Sequence, residues 1–184
     1  MTKKLNIALI GCGGWGKNIA RNLHQIGALA CIYDSDQNLS KKLNQDFKLH
    51  DYTINDIFRN ENIQALVIAS SAKTHRDIAE EALKNNKDVL IEKPFCLSLN
   101  DAITLSKLAI KKNKVLMAGH LLNYHSAFIK MQDLIREGKI GETINIRAQR
   151  LALGAIRSHE SVIYDLAVHD VSMILAIMQE LPVK

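Results

Sequence analysis

The segment Gly11-Cys12-Gly13-Gly14-Trp15-Gly16 constrains this chain more than any other stretch. It follows the apolar run Leu5-Asn6-Ile7-Ala8-Leu9-Ile10 and leads into a helix-like stretch that ends near Gly27. A strand, a glycine turn and a helix in that order give G-x-G-x-x-G its physical meaning. Gly11 lets the chain turn sharply out of the strand. Gly13 offers a backbone without a Cβ, which a pyrophosphate can approach, and Gly16 lets the helix pack close to the sheet. The helix N-terminus adds unpaired N–H groups and the positive end of its dipole, and both favour phosphate. Cys12, Gly14 and Trp15 complete the loop and join the three glycines as expected nucleotide contacts.

A carboxylate at the expected distance strengthens this reading. The run Ala28-Leu29-Ala30-Cys31-Ile32-Tyr33 reads as a second strand, and Asp34 ends it, close to the roughly 20-residue interval of dinucleotide-binding folds. There a carboxylate accepts hydrogen bonds from both hydroxyls of an adenosine ribose and repels a 2′-phosphate. Ser35, Asp36 and Gln37 follow without an arginine or lysine, so NAD is favoured over NADP. The alternative is that Asp34 does no more than open the Asp34-Ser35-Asp36 turn.

The remaining composition narrows the partners. The chain has 184 residues, 47% of them hydrophobic and 23% charged, enough for a real core. Its formal net charge of +5 comes from lysines scattered over helix faces, as in Lys41-Lys42 and Lys111-Lys112-Asn113-Lys114. No aromatic residues interleave them, so no nucleic-acid partner is expected. Cys12, Cys31 and Cys96 are odd in number and lack metal-ligand spacing, so neither a disulfide framework nor a metal site is expected. Cys12 and Cys31 read as small reduced packing residues. The apolar stretch after Lys3-Lys4 is too short for a signal peptide, and no run approaches the roughly 18 residues that span a bilayer. The expectation is a soluble, cytoplasmic protein.

Strand-like and helix-like segments alternate up to residue 118. Helices are expected over residues 39–47, 54–58, 75–86 and 99–112. Strands are expected over 64–69, 88–92 and 115–118. Gln64-Ala65-Leu66-Val67-Ile68-Ala69 is continuously apolar, the mark of a strand covered on both faces. The alternation predicts an α/β fold, a Rossmann-type doubly wound parallel sheet over residues 1–118. Residues 119–184 read as an incomplete α/β, open-sheet segment. It has a helix over 124–137, a strand with alternating polar and apolar residues over 143–149, a loop containing Gly154, and a helix from about Ser161 to Gln179. The ending Leu181-Pro182-Val183-Lys184 reads as the start of another strand.

Three groups of residues carry candidate chemistry. Glu92-Lys93-Pro94 leaves the fourth major strand at the sheet edge that also carries the glycine loop, where ligands of open α/β sheets lie. A lysine there is near the nicotinamide of a cofactor that runs across the sheet. The plainer alternative is a surface lysine that starts a loop. Ser70 and His75, just after the third major strand, are assigned to the cofactor site, as is Glu92. Asp165 and His169 are four apart and share one face of a helix, with Asp170 next. Such a pair can hold an imidazole in one tautomer and exchange protons near neutral pH. Set against this is a structural histidine. His24, His50, His120, His125 and His159 show no comparable arrangement.

Gly11-x-Gly13-x-x-Gly16, Glu92-Lys93-Pro94 and Asp165-x-x-x-His169, in that order, closely resemble the Gfo/Idh/MocA oxidoreductases. Gly119-His120-Leu121-Leu122-Asn123-Tyr124 and Val162 to Asp170 look most like the branch acting on nucleotide sugars (UDP-N-acetylglucosamine 3-dehydrogenase-like). The resemblance implies NAD-dependent oxidation of a secondary hydroxyl on a small sugar substrate. It makes Lys93 and His169 the residues facing the reacting carbon, with Asp165 orienting the histidine or contacting substrate, and it implies a cis Pro94. His169 is the expected proton acceptor. Lys93 is the orienting group, because an amine acts as base only where its surroundings lower its pKa. Two departures stand out. The C-terminal sheet of the family is present only in its first strand and helix, so a fragment or shortened product is expected, and an unfinished sheet invites self-association. Ala152 also stands where sugar-specific relatives often place an amide. A nucleotide-binding module without catalysis and an inactive remnant are the rival expectations.

Overall fold

The computed structural model describes residues 5–151 and 161–182. The chain divides into two compact units, Met1–Gly119 and His120–Lys184.

The first unit contains five strands: β1 (Ile7–Ile10), β2 (Leu29–Tyr33), β3 (Ala65–Ile68), β4 (Asp88–Ile91) and β5 (Leu116–Ala118). Its helices are α1 (Gly14–Gln25), α2 (Gln37–Asp46), α3 (Ile54–Arg59), α4 (Ala72–Lys84) and α5 (Leu99–Lys112). All strand pairs are parallel, in the order β2-β1-β3-β4-β5. This is the doubly wound sheet expected from the alternation. The strand order reverses direction between β1 and β3, so the loops leaving their carboxyl ends diverge and open a crevice.

Side-chain alternation splits β1, β2, β3 and β4 between two cores. Ala8, Ile10, Leu66, Ile68, Val89 and Ile91 are buried together with residues of α3, α4 and α5. Leu9, Val67 and Ile32 face the other way, against Ala20 of α1 and half-buried leucines of α2. Burial on both faces explains the continuous apolar runs. Each fully buried leucine or isoleucine contributes about 1.5–3 kcal/mol.

Local capping sets the helix bounds. The Asp36 side chain accepts the N–H groups of Asn38 and Leu39, so α2 starts at Gln37, ahead of the expected Leu39. Thr53 and Asp56 form a reciprocal capping box at α3. Helix α4 starts at Ala72 with Ser71 at its N-cap, which carries His75 inside the helix.

The second unit begins with a 3-10 turn (Leu121–Tyr124), followed by α6 (Ser126–Arg136), a π-helical turn (Ile163–Ala167) and α7 (Val168–Met178). The strand expected over residues 143–149 is not formed. Alternation prepares a face but supplies no partner, and no described segment hydrogen-bonds alongside it; Ile144 is 93% exposed. The helix expected from about Ser161 to Gln179 is present over residues 162–178, with a π-helical turn (Ile163–Ala167) that runs directly into α7. The Gly154 loop and Ala152 lie outside the described residues. No helix among the described residues is long and apolar enough to cross a membrane.

Candidate functional site

The carboxyl ends of the five strands bring most of the expected site residues of the first unit to one edge. Gly11 leaves β1 with φ +93°, and a Cβ on it would lie 2.5 Å from the Ser70 N. A Cβ on Gly16 would lie 2.2 Å from the Gly11 carbonyl oxygen. Both positions therefore exclude any side chain. Gly13 and Gly14 differ, because a Cβ at either would meet nothing within 4 Å. Gly13 is the N-cap of α1 with no side-chain cap, and the first turn of that helix holds no acid. Open space over an uncapped helix N-terminus suits an anionic group. Trp15 is exposed beside it.

Asp34 leaves the neighbouring strand β2 and is tied to the glycine loop. Its Oδ2 accepts the Cys12 N–H at 2.7 Å and the Cys12 thiol at 3.3 Å. Its Oδ1 accepts the Asp36 N–H at 3.0 Å and the Ser35 hydroxyl at 3.3 Å. Burial alone raises its pKa, but the amides of Cys12 and Asp36 outweigh that and hold the carboxyl below its usual range. Asp34 thus opens the Asp34-Ser35-Asp36 turn and carries an ionised carboxylate at this sheet edge. Burial, and then the bond to Asp34, push the Cys12 thiol up to about 12, so it stays a neutral donor. Cys31, buried in β2, is likewise pushed up to about 12 by burial. Both are free cysteines in packed surroundings, as expected.

Ser70 and His75 follow β3. The Ser70 hydroxyl pairs with the Thr74 hydroxyl at 2.8 Å. His75 is 1% exposed, and its ring spans two loops: Nδ1 lies 2.9 Å from the Pro94 carbonyl oxygen and Nε2 3.0 Å from that of Ser70. The imidazole therefore sits beneath the loops that follow β3 and β4 and joins them. Glu92, Lys93 and Pro94 leave β4, with a cis peptide between Lys93 and Pro94. Glu92 Oε2 accepts the Lys93 N–H at 3.3 Å. Lys93 and Glu92 are half-buried at this edge.

One contributor was missed from sequence. Gly119 follows β5, and a Cβ there would lie 3.0 Å from Glu92 Cδ. The signal was available: Gly119 stands directly after a strand, as Gly11 does.

In the second unit, Asp165 lies in the π turn and His169 in the first turn of α7, so their four-residue spacing crosses the junction. Turns of this kind are frequent at functional sites. His169 is buried and Asp165 half-buried. Asp170 is engaged by Arg150 through two parallel bonds, at 2.8 and 3.2 Å, and that pairing raises the Arg150 pKa. Among the described residues, no group of three or more histidines, cysteines or acids is placed to hold a metal ion.

Comparison with known proteins agrees with this geometry. The model of the Gfo/Idh/MocA family, described as an oxidoreductase family with an NAD-binding Rossmann fold, matches residues 5–120. A UDP-N-acetylglucosamine 3-dehydrogenase of Acidithiobacillus ferrooxidans is 28% identical over 180 residues, which cover 97% of this chain and 56% of that protein. A 2,7-anhydro-N-acetylneuraminate hydratase of Escherichia coli is 27% identical over 150 residues, 79% of this chain and 40% of the relative. A crystal structure of the Acidithiobacillus ferrooxidans enzyme superposes with a TM-score of 0.88 at 27% identity, covering 98% of this chain and 59% of that one. The chain thus spans about half the length of the relatives it matches. With its glycine turn, Asp34 and the Glu92-Lys93-Pro94 triplet gathered at one sheet edge, it belongs to the Gfo/Idh/MocA family of oxidoreductases, those with an NAD-binding Rossmann fold.

Proposed function

We propose that this chain binds NAD and serves the oxidation of a secondary hydroxyl on a sugar, a nucleotide sugar in the form best supported. The observation that carries the reading is the open, uncapped turn at Gly13 and Gly14 beside an ionised Asp34. Lys93 leaves the same sheet edge after β4. Similarity to the Acidithiobacillus ferrooxidans UDP-N-acetylglucosamine 3-dehydrogenase supports the sugar class.

The residues fit the cofactor. The amides of Gly13, Gly14, Trp15 and Gly16 hold the pyrophosphate, and Asp34 takes the ribose hydroxyls. Ser70 and Glu92 line the path, and His75 holds the two loops that flank it. NAD, when bound, supplies the hydride acceptor. Oxidation of a carbinol also releases a proton from oxygen, and His169 takes it. In the first unit, Lys93 is the proposed donor to negative charge developing on a substrate oxygen; in the second, Asp165 is the proposed partner that orients the imidazole.

Turnover is tested by following NADH absorbance with a panel of nucleotide sugars. Lys93→Met is expected to abolish turnover and leave NADH affinity within about twofold. Turnover retained in that variant contradicts the role of Lys93. The panel also includes anhydro sugars, followed by mass, because the Escherichia coli relative is named a hydratase.

A second reading, a nucleotide-binding module without turnover, is favoured by one observation: residues 143–149 form no strand. Saturable NADH binding without turnover of any substrate in the panel would select it.

A further inference from the structure

Four donors surround the Asp34 carboxylate, one of them at long range. An ionised carboxylate offers about four lone-pair sites, and four donors reach it: the Cys12 N–H and thiol on Oδ2, the Asp36 N–H and Ser35 hydroxyl on Oδ1. A ribose hydroxyl that bonds Oδ1 competes with the donors already there.

The four donors are not equally replaceable. Cys12 is fully buried, and both of its bonds close the inner side of the carboxylate. Ser35 and Asp36 are exposed, so Oδ1 is the oxygen turned to solvent. Of the two donors on Oδ1, the Asp36 amide is fixed in the backbone turn. The Ser35 hydroxyl, at 3.3 Å, lies beyond the usual range for O–H···O bonds and swings away by rotation about χ1.

We propose that Ser35 and Cys12 set the nucleotide affinity of Asp34 with opposite signs: the Ser35 hydroxyl competes with the ribose for Oδ1, while Cys12 anchors Oδ2 and turns Oδ1 outward. The proposal rests on the reading of Asp34 as the ribose acceptor. Cys12 acts here as a positioning residue, through Asp34. The ligand selected is a ribonucleotide with a free vicinal diol. A 2′-phosphate brings charge and acceptors, not donors, to a carboxylate that needs donors.

The test is a titration of NADH, followed by its emission, into the unmodified chain and into Ser35→Ala, Cys12→Ala and Cys12→Ser. Ser35 is exposed, so its replacement leaves folding intact. Ser35→Ala is expected to lower Kd for NADH about twofold to fivefold, the scale of one modest hydrogen bond. Cys12→Ala is expected to raise it by a similar factor, and Cys12→Ser, which restores a donor, to return it to near the original value. A Ser35→Ala variant with unchanged or weaker binding overturns the competition. Cys12→Ala and Cys12→Ser shifting together overturn the anchoring, because a packing defect alone affects both. If the unmodified chain binds no NADH, the ribose reading of Asp34 fails first and this inference with it.

Discussion

The carboxylate of Glu92 rests directly against Gly119, close enough that a Cβ there would sit 3.0 Å from Cδ and 3.1 Å from both carboxylate oxygens. The contact joins the ends of β4 and β5, and Glu92 in turn accepts the backbone N–H of Lys93. Gly119 needs no left-handed backbone, so space alone demands the glycine. Gly119→Ala is expected to destabilise by about 1 kcal/mol as the carboxylate is pushed aside. In a Glu92→Ala background the same substitution becomes neutral or stabilising by about 0.5 kcal/mol, since alanine restricts the unfolded chain. Urea unfolding of the four members of this cycle measures the change of sign.

Gly13 and Gly16 separate binding from folding. Gly16→Ala drives a Cβ into the Gly11 carbonyl, a backbone atom that cannot swing away. A loss of about 3 kcal/mol or more is expected in urea unfolding. Gly13→Ala meets open space and should change stability by less than about 1 kcal/mol. Its Kd for NADH should rise about tenfold or more, because the methyl group occupies the approach of the pyrophosphate.

Asn44 guards the free edge of the sheet. Its buried amide accepts the Ile32 N–H at 2.9 Å and donates to the Ile32 carbonyl at 2.9 Å and to Asp51 at 2.7 Å. It thereby pairs with β2 where, among the described residues, no further strand does. Asn44→Leu strands both backbone groups of Ile32 and is expected to destabilise by about 2–4 kcal/mol, read from the urea midpoint.

The pH dependence of Asp34 has a defined sign. Its folded pKa lies below the ordinary value of 3.8, so the unfolded state binds the proton more readily in that window. The stabilisation it contributes is complete above the unfolded pKa and is lost as pH falls through the lower folded value. Asp34→Asn should therefore flatten the acid limb of the stability–pH curve below about pH 4 and leave the limb above it parallel to the unmodified chain. Denaturant midpoints between acid and neutral pH check this.

Most of the first unit was legible because its signals are local. Apolar runs such as Ala65–Ile68 mark strands covered on both faces, and the glycine spacing announces a turn that no other residue can make. The bond from Cys12 to Asp34, 22 residues apart, was not legible, because it depends on β1 and β2 lying side by side. His75 was placed at the start of a helix; the helix begins earlier, at Ala72, which carries the ring into the interior between Ser70 and Pro94. Residues 143–149 show the opposite failure. Their alternation describes a side-chain pattern, but a strand exists only where a neighbour completes its hydrogen bonds. The roles of Lys93, Asp165 and His169 were read from spacing and resemblance, and turnover is their test.

The central claim is that the turn after β1 and the acid after β2 together hold an adenine dinucleotide. Titration of NADH into the unmodified chain, followed by NADH emission and by quenching of Trp15, tests it most directly. The account predicts saturable binding that NAD competes away and that NADPH matches only at a Kd about tenfold or more higher. Absence of saturable binding, or equal affinity for NADH and NADPH, would contradict it.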